Sequence, residues 1–159
     1  MIRSTLALLL ALVFCACAPS PKTDEAPDTT PPGAAGELSY PSIDFDRLVY
    51  LWENATYMDA TFYTLPISIN QSELNQIRQT IATVGEDALI LPATCKATGH
   101  IWFQVNGINV EEADIYFSSG CVGYVWYEEG KPAYSNQMTE GGINFYNNII
   151  NSVQQQTGQ

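Results

Sequence analysis

The chain is short of positive charge. Against 17 Asp and Glu it carries only 6 Lys and Arg, a formal net charge of -11. Nucleic-acid backbones and anionic membrane surfaces are repelled by that balance, so neither is an expected partner. Histidine is rarer still: His100 stands alone. A His-Glu-x-x-His zinc motif is therefore excluded, and Gly-x-Ser-x-Gly, the P-loop and the dinucleotide fingerprint are absent as well. No alternation of acids around a glycine turn marks a calcium loop. No cofactor and no metal are expected. Long apolar runs are missing too. Leu6 to Phe14 is too short to cross a ~30 Å hydrocarbon core as a helix.

That short run has neighbours that give it a meaning. Arg3 precedes it, and the small residue Ala16 follows it, beside Cys17 and Ala18. A positive start, an apolar stretch and a small-residue end describe a secretory signal. Residues 14–17 read Phe-Cys-Ala-Cys. This resembles the lipobox of bacterial lipoprotein precursors, in which an aliphatic residue and two small residues precede the cysteine that takes diacylglycerol. Ala16 and Cys17 match it; Phe14 and Cys15 stand where it prefers other residues. The resemblance implies cleavage of a signal peptide at 1–16, lipidation of Cys17 and attachment to a membrane through the acyl chains. Each buried methylene adds ~0.8 kcal/mol to that attachment. The same resemblance, with Ala18 rather than Asp after the cysteine, implies sorting to the outer membrane in a Gram-negative cell.

Residues 17–39 read as a lipidated cysteine followed by a linker. Five of the nine prolines lie there, at Pro19, Pro21, Pro27, Pro31 and Pro32. Such a stretch buries too little apolar surface to offset its ordering entropy, so an extended acidic spacer is expected. A single domain over 40–159 follows, with a hydrophobic content of 46% for the whole chain that permits a core.

Within that domain, Tyr57 to Tyr63 alternates, with Met58, Ala60 and Phe62 on one face, which predicts a strand. Residues 45–53 are ambiguous. They read as a strand, yet Phe45, Leu48, Val49 and Trp52 also fit one helical face. Leu74, Ile77, Ile81 and Val84 predict a helix over 72–84, opened by an Asn70/Glu73 capping box and stopped by Gly85. Ala88 to Leu91 reads as a short strand. Asn106-Gly107 marks a hairpin between Ile101–Val105 and Ile108–Val110, because both residues accept positive φ. Strands at Ala113–Phe117, Cys121–Tyr127 and Pro132–Ser135 continue a meander through turns at Ser118–Gly120 and Glu129-Gly130. A closing helix begins at Thr139, weakened in its first turn by Gly141 and Gly142, and ends about Val153 before a polar glutamine tail. The expected fold is α+β: an antiparallel meander with two helices packed on one face.

Once Cys15 leaves with the signal and Cys17 takes lipid, Cys95 and Cys121 remain. An oxidising compartment makes their disulfide the default. A thiol paired with His100 is the alternative. Glu111, Asp114, Glu128 and Glu129 read best as solvated acids. Aromatic residues crowd the meander, and Trp102, Tyr116, Tyr124 and Trp126 are the candidate binding face, since Tyr and Trp offer large amphipathic contact area. Three readings follow. The first is an envelope binding or structural module that engages a protein, peptide or glycan. The second is an enzyme or redox protein around His100. The third is a carrier of an apolar ligand.

Overall fold

The computed structural model describes residues 36–157. The expected signal peptide at 1–16, the expected lipid site Cys17 and the expected linker up to residue 35 lie outside them. The described chain is α+β. Its main sheet is antiparallel with six strands in the order β3-β2-β5-β6-β7-β8, formed by Ser68–Gln71 (β3), Tyr57–Phe62 (β2), Gly99–Val105 (β5), Ile108–Ser118 (β6), Cys121–Glu128 (β7) and Lys131–Gln137 (β8). A second, two-stranded ribbon pairs Glu37–Ser39 (β1) with Ile90–Pro92 (β4). Strand β1 therefore falls in residues expected to be spacer. Its backbone finds partners on β4, and the entropy argument for a free tether stops where that ladder begins.

The described residues form three helices rather than two. Residues 45–53, read as a strand, belong to helix α1, Phe45–Asn54. The Asp44 side chain accepts from the Asp46 backbone N–H at 3.0 Å and caps its first turn. Helix α2 is Leu74–Ile81, shorter than the apolar stripe implied. The capping box does not form. Asn70 is held in β3, where its amide donates to Tyr57 Oη and Asp59 Oδ1, and Glu73 caps without a side-chain bond. Strand pairing thus carries the chain in extended form through Gln71 and delays the helix. Helix α3, Glu140–Thr157, starts as expected, with Thr139 Oγ1 accepting from Gly142 N–H at 3.1 Å, but takes in the glutamine tail.

Both turns with a positive-φ pair are as read: Asn106 and Gly107 have φ of 52° and 80°, Glu129 and Gly130 of 51° and 73°. The two strands expected at 108–110 and 113–117 are one strand, β6, broken only by a bulge opposite Phe103/Gln104.

The inner face of the sheet carries Met58, Ala60, Phe62, Ile101, Phe103, Ala113, Ile115, Tyr124 and Trp126. Leu51 from α1, Ile77 and Ile81 from α2 and Tyr146 from α3 close over them in one core. On the opposite face a smaller core joins Leu89, Leu91, Tyr116, Cys121 and Val125, with Tyr40, Cys95 and Ala97 against it. The β1–β4 ribbon and the Cys95–Cys121 disulfide, with Cα atoms 5.8 Å apart, cover that part of the sheet. Strand β8 is not a bare edge. Gly85 N–H donates to Gln137 O at 2.7 Å, Gln137 N–H to Asp87 O at 2.9 Å, and Ser135 N–H to Pro41 O at 2.8 Å.

Candidate binding surfaces

The four aromatics grouped by sequence do not share a face. Residues paired across an antiparallel ladder point the same way. Ile115 opposes Tyr124 and Ala113 opposes Trp126, so both rings turn inward. Tyr124 and Trp126 are each 1% exposed, packed at 5.8 Å from one another, with Trp126 stacked on Phe103. They are core. Tyr124 Oη meets Thr83 Oγ1 at 2.5 Å and donates to Tyr146 Oη at 3.1 Å. Burial pushes the Tyr124 hydroxyl up to about 12. Tyr116 does lie on the outer face, but inside the smaller core beneath the ribbon. Only Trp102 of the four sits on the uncovered part of that face, half-buried opposite Glu112 and Asp59.

Around Trp102 the ladder assembles groups that the sequence reading had not joined. His100 opposes Asp114, and its Nδ1 donates to Asp114 Oδ1 at 2.7 Å. Tyr127 donates to Asp114 Oδ2 at 2.8 Å. The Trp102 ring lies 4.4 Å from the imidazole and that of Tyr127 5.7 Å. Burial alone would lower the His100 pKa. The hydrogen bond and charge of Asp114, then the nearby carboxylate of Glu112, outweigh it and raise the value above its ordinary 6.5. Burial first, then the bond to Asp114, raise Tyr127 well beyond its normal range. Burial and the charge of Asp114 raise Tyr63 as well.

Asp114 is therefore not a solvated turn acid, and neither is Glu111. Glu111 points inward, 9% exposed, and accepts both Arg47 Nε at 2.7 Å and Arg47 Nη2 at 2.8 Å. Arg47 also reaches Glu128 at 3.1 Å and lies 4.9 Å over the Tyr134 ring, which pins α1 to the sheet. Glu111 and Asp114 cannot converge as an acid pair, because they occupy opposite faces.

The His–Asp pair has the orientation of a general base but not its access. Nε2 is shut off from solvent and has no hydrogen-bond partner; Glu112 Oε2 lies 3.5 Å away without forming one. A base needs contact with the proton it takes. The thiol alternative is closed by the Cys95–Cys121 bond. Among the described residues no group of three or more His, Cys, Asp or Glu is arranged to hold a metal, and no helix is long and apolar enough to cross a membrane.

A second surface lies between α1 and the turn that follows α2. An open groove of about 750 Å³ is lined by Ile43, Phe45, Leu48, Val49, Trp52, Ile81, Val84 and Glu86. Asn136, buried in β8, fixes its floor: Oδ1 accepts from Ile43 N–H at 3.1 Å and Nδ2 donates to Gly85 O at 2.9 Å. The sequence carried a signal for this groove. Phe45, Val49 and Trp52 follow the i, i+4, i+7 spacing of one helical stripe, visible once 45–54 is read as a helix.

No family model, no curated protein and no solved structure matches this chain.

Proposed function

We propose that this chain is a bacterial envelope lipoprotein, lipidated at Cys17 and held at the outer membrane. Its domain acts as a binding module through the uncovered strip of the outer sheet face. The observation that carries the binding role is a set of aromatic rings fixed in advance on that strip. Asn70 holds the Tyr57 hydroxyl, Asp114 holds that of Tyr127, and His100 supports the Trp102 ring. Tyr63 stands 59% exposed on the same face. Rings already held lose little conformational freedom on binding, which favours recognition over loose surface contact. Asp59, Glu112 and Asp114 are the charged groups alongside, and His100 is engaged by Asp114. The strip therefore suits a neutral or basic partner, such as a peptide segment of an envelope protein or a neutral glycan.

Two other readings have less support. An enzyme centred on His100 would need an accessible Nε2. A carrier would need space between helices and sheet, and Trp126, Tyr124, Tyr146 and Phe103 pack that space.

The test is capture of envelope components on the full chain. Wild type is compared with a Trp102→Ala/Tyr63→Ala variant of equal thermal stability. A partner recovered by the wild type and lost by the variant supports the reading. Equal recovery of every component refutes it.

A further inference from the structure

We infer that the groove between α1 and the turn that follows α2 is a docking site for a basic amphipathic helix of a partner protein. The inference is independent of the sheet-face reading. Helix α1 has ten residues and one broad apolar side. Leu51, fully buried, stands at the edge of it that meets the core. Phe45, Val49 and Trp52 continue that side into the groove, and Phe45 is 69% and Trp52 42% exposed. An uncovered apolar stripe on so short a helix is costly in water and marks a contact surface.

At Ile43 and Gly85 the backbone beside the groove is already paired. Ile43 N–H, Gly85 N–H and Gly85 O are all engaged, by Asn136 and by Gln137. An added strand needs a free row of such groups, whereas a helix brings its own hydrogen bonds and presents only side chains. Charge then sets the sign of the partner. Asp44 and Asp46 flank Phe45, Glu53 follows Trp52, and Glu86 lines the groove with Asp87 beside it. The nearby cations are committed. Arg78 Nε donates to Trp52 O at 2.9 Å with its guanidinium 5.4 Å over the Trp52 ring, and Arg47 is held by Glu111 and Glu128. An apolar floor inside an acidic rim complements Leu and Lys faces of one helix.

The test uses the mature lipidated chain in nanodiscs of zwitterionic lipid, with empty nanodiscs as the blank. An 18-residue labelled Leu/Lys amphipathic peptide is titrated by anisotropy, beside a Leu/Glu counterpart and a Leu/Lys peptide of scrambled order. Saturable binding of the first is expected, at least tenfold tighter than either control. Phe45→Ser should weaken it at least tenfold, and Ile108→Ser, at an exposed apolar residue of the β5–β6 hairpin outside both groove and strip, should leave it unchanged. Glu86→Lys should weaken the Leu/Lys peptide and strengthen the Leu/Glu one, which serves should Phe45→Ser fold poorly. Equal binding of the scrambled peptide would overturn the inference, since net charge alone would then explain the affinity. So would indifference to both groove variants, saturation by free palmitate without peptide binding, or a dimer of the chain that Phe45→Ser abolishes.

Discussion

Reducing the Cys95–Cys121 bridge should remove a large part of the domain's stability and remove it locally first. The cross-link closes a loop of 26 residues. In the chain-entropy relation that length corresponds to about 12 cal/mol/K, or about 3.5 kcal/mol at room temperature. For a domain of this size the melting temperature should fall by roughly 10–20 °C. Reduced wild type isolates the cross-link, because every side chain remains in place. The Cys95→Ala/Cys121→Ala variant adds the packing loss at Cys121, a member of the smaller core. Urea titrations of the oxidised and reduced chain give the total. Hydrogen exchange gives the location: amides of the β1–β4 ribbon should lose protection before those of β5 and β6, since the ribbon rests on the small core and the disulfide. A reduced protein within 1 kcal/mol of the oxidised one would refute the loop argument. Uniform loss of protection across the sheet would refute the view that the ribbon is a separately secured layer.

Other perturbations follow from single contacts. His100 holds its proton more tightly in the fold than out of it, so its stabilising contribution is full below about pH 6.5 and is lost as pH rises through the elevated folded value. Urea midpoints should therefore fall over that window in wild type and not in His100→Gln. Glu111→Gln breaks a two-pronged, mostly buried pair with Arg47 and should cost about 1–3 kcal/mol, measured by chemical denaturation. Gly142→Ala should destabilise despite a helix-propensity gain of about 1 kcal/mol, because its Cβ would lie 2.6 Å from Met138 Cγ and 2.8 Å from Thr83 Cβ. A rise in melting temperature for that variant would contradict the packing of α3. Trp126→Ala should cost about 3–5 kcal/mol, as expected for a core ring and not for a surface one.

The fold class was legible because period-two alternation, turn chemistry and the α2 and α3 stripes all pointed one way. The errors came from tertiary decisions. Segment 45–53 carries both periodicities, and only the Asp44 cap together with burial of Leu51 selects the helix. Trp102, Tyr124 and Trp126 lie on strands whose alternation was visible, but which faces coincide depends on register. The Asn106-Gly107 turn pairs Val105 with Ile108 and Gln104 with Asn109; carried straight on, that register would set His100 against Ala113. The bulge after Gln104 shifts it by one residue and brings Asp114 opposite His100 instead. No local pattern announced the bulge, so the His100–Asp114–Tyr127 network was out of reach. Gly142 shows the same limit: read as a weakness of the helix, it is the site where α3 meets Thr83 and Met138.

The proposed lipid anchor at Cys17 underlies the proposed placement, the oxidising surroundings it would give Cys95 and Cys121, and the choice of envelope partners. Intact mass of the protein extracted from membranes tests it most directly. The account predicts a chain beginning at Cys17 whose mass exceeds that of residues 17–159 by a diacylglyceryl group and any further acyl chain. A cytosolic protein with the mass of unmodified residues 1–159 would contradict it.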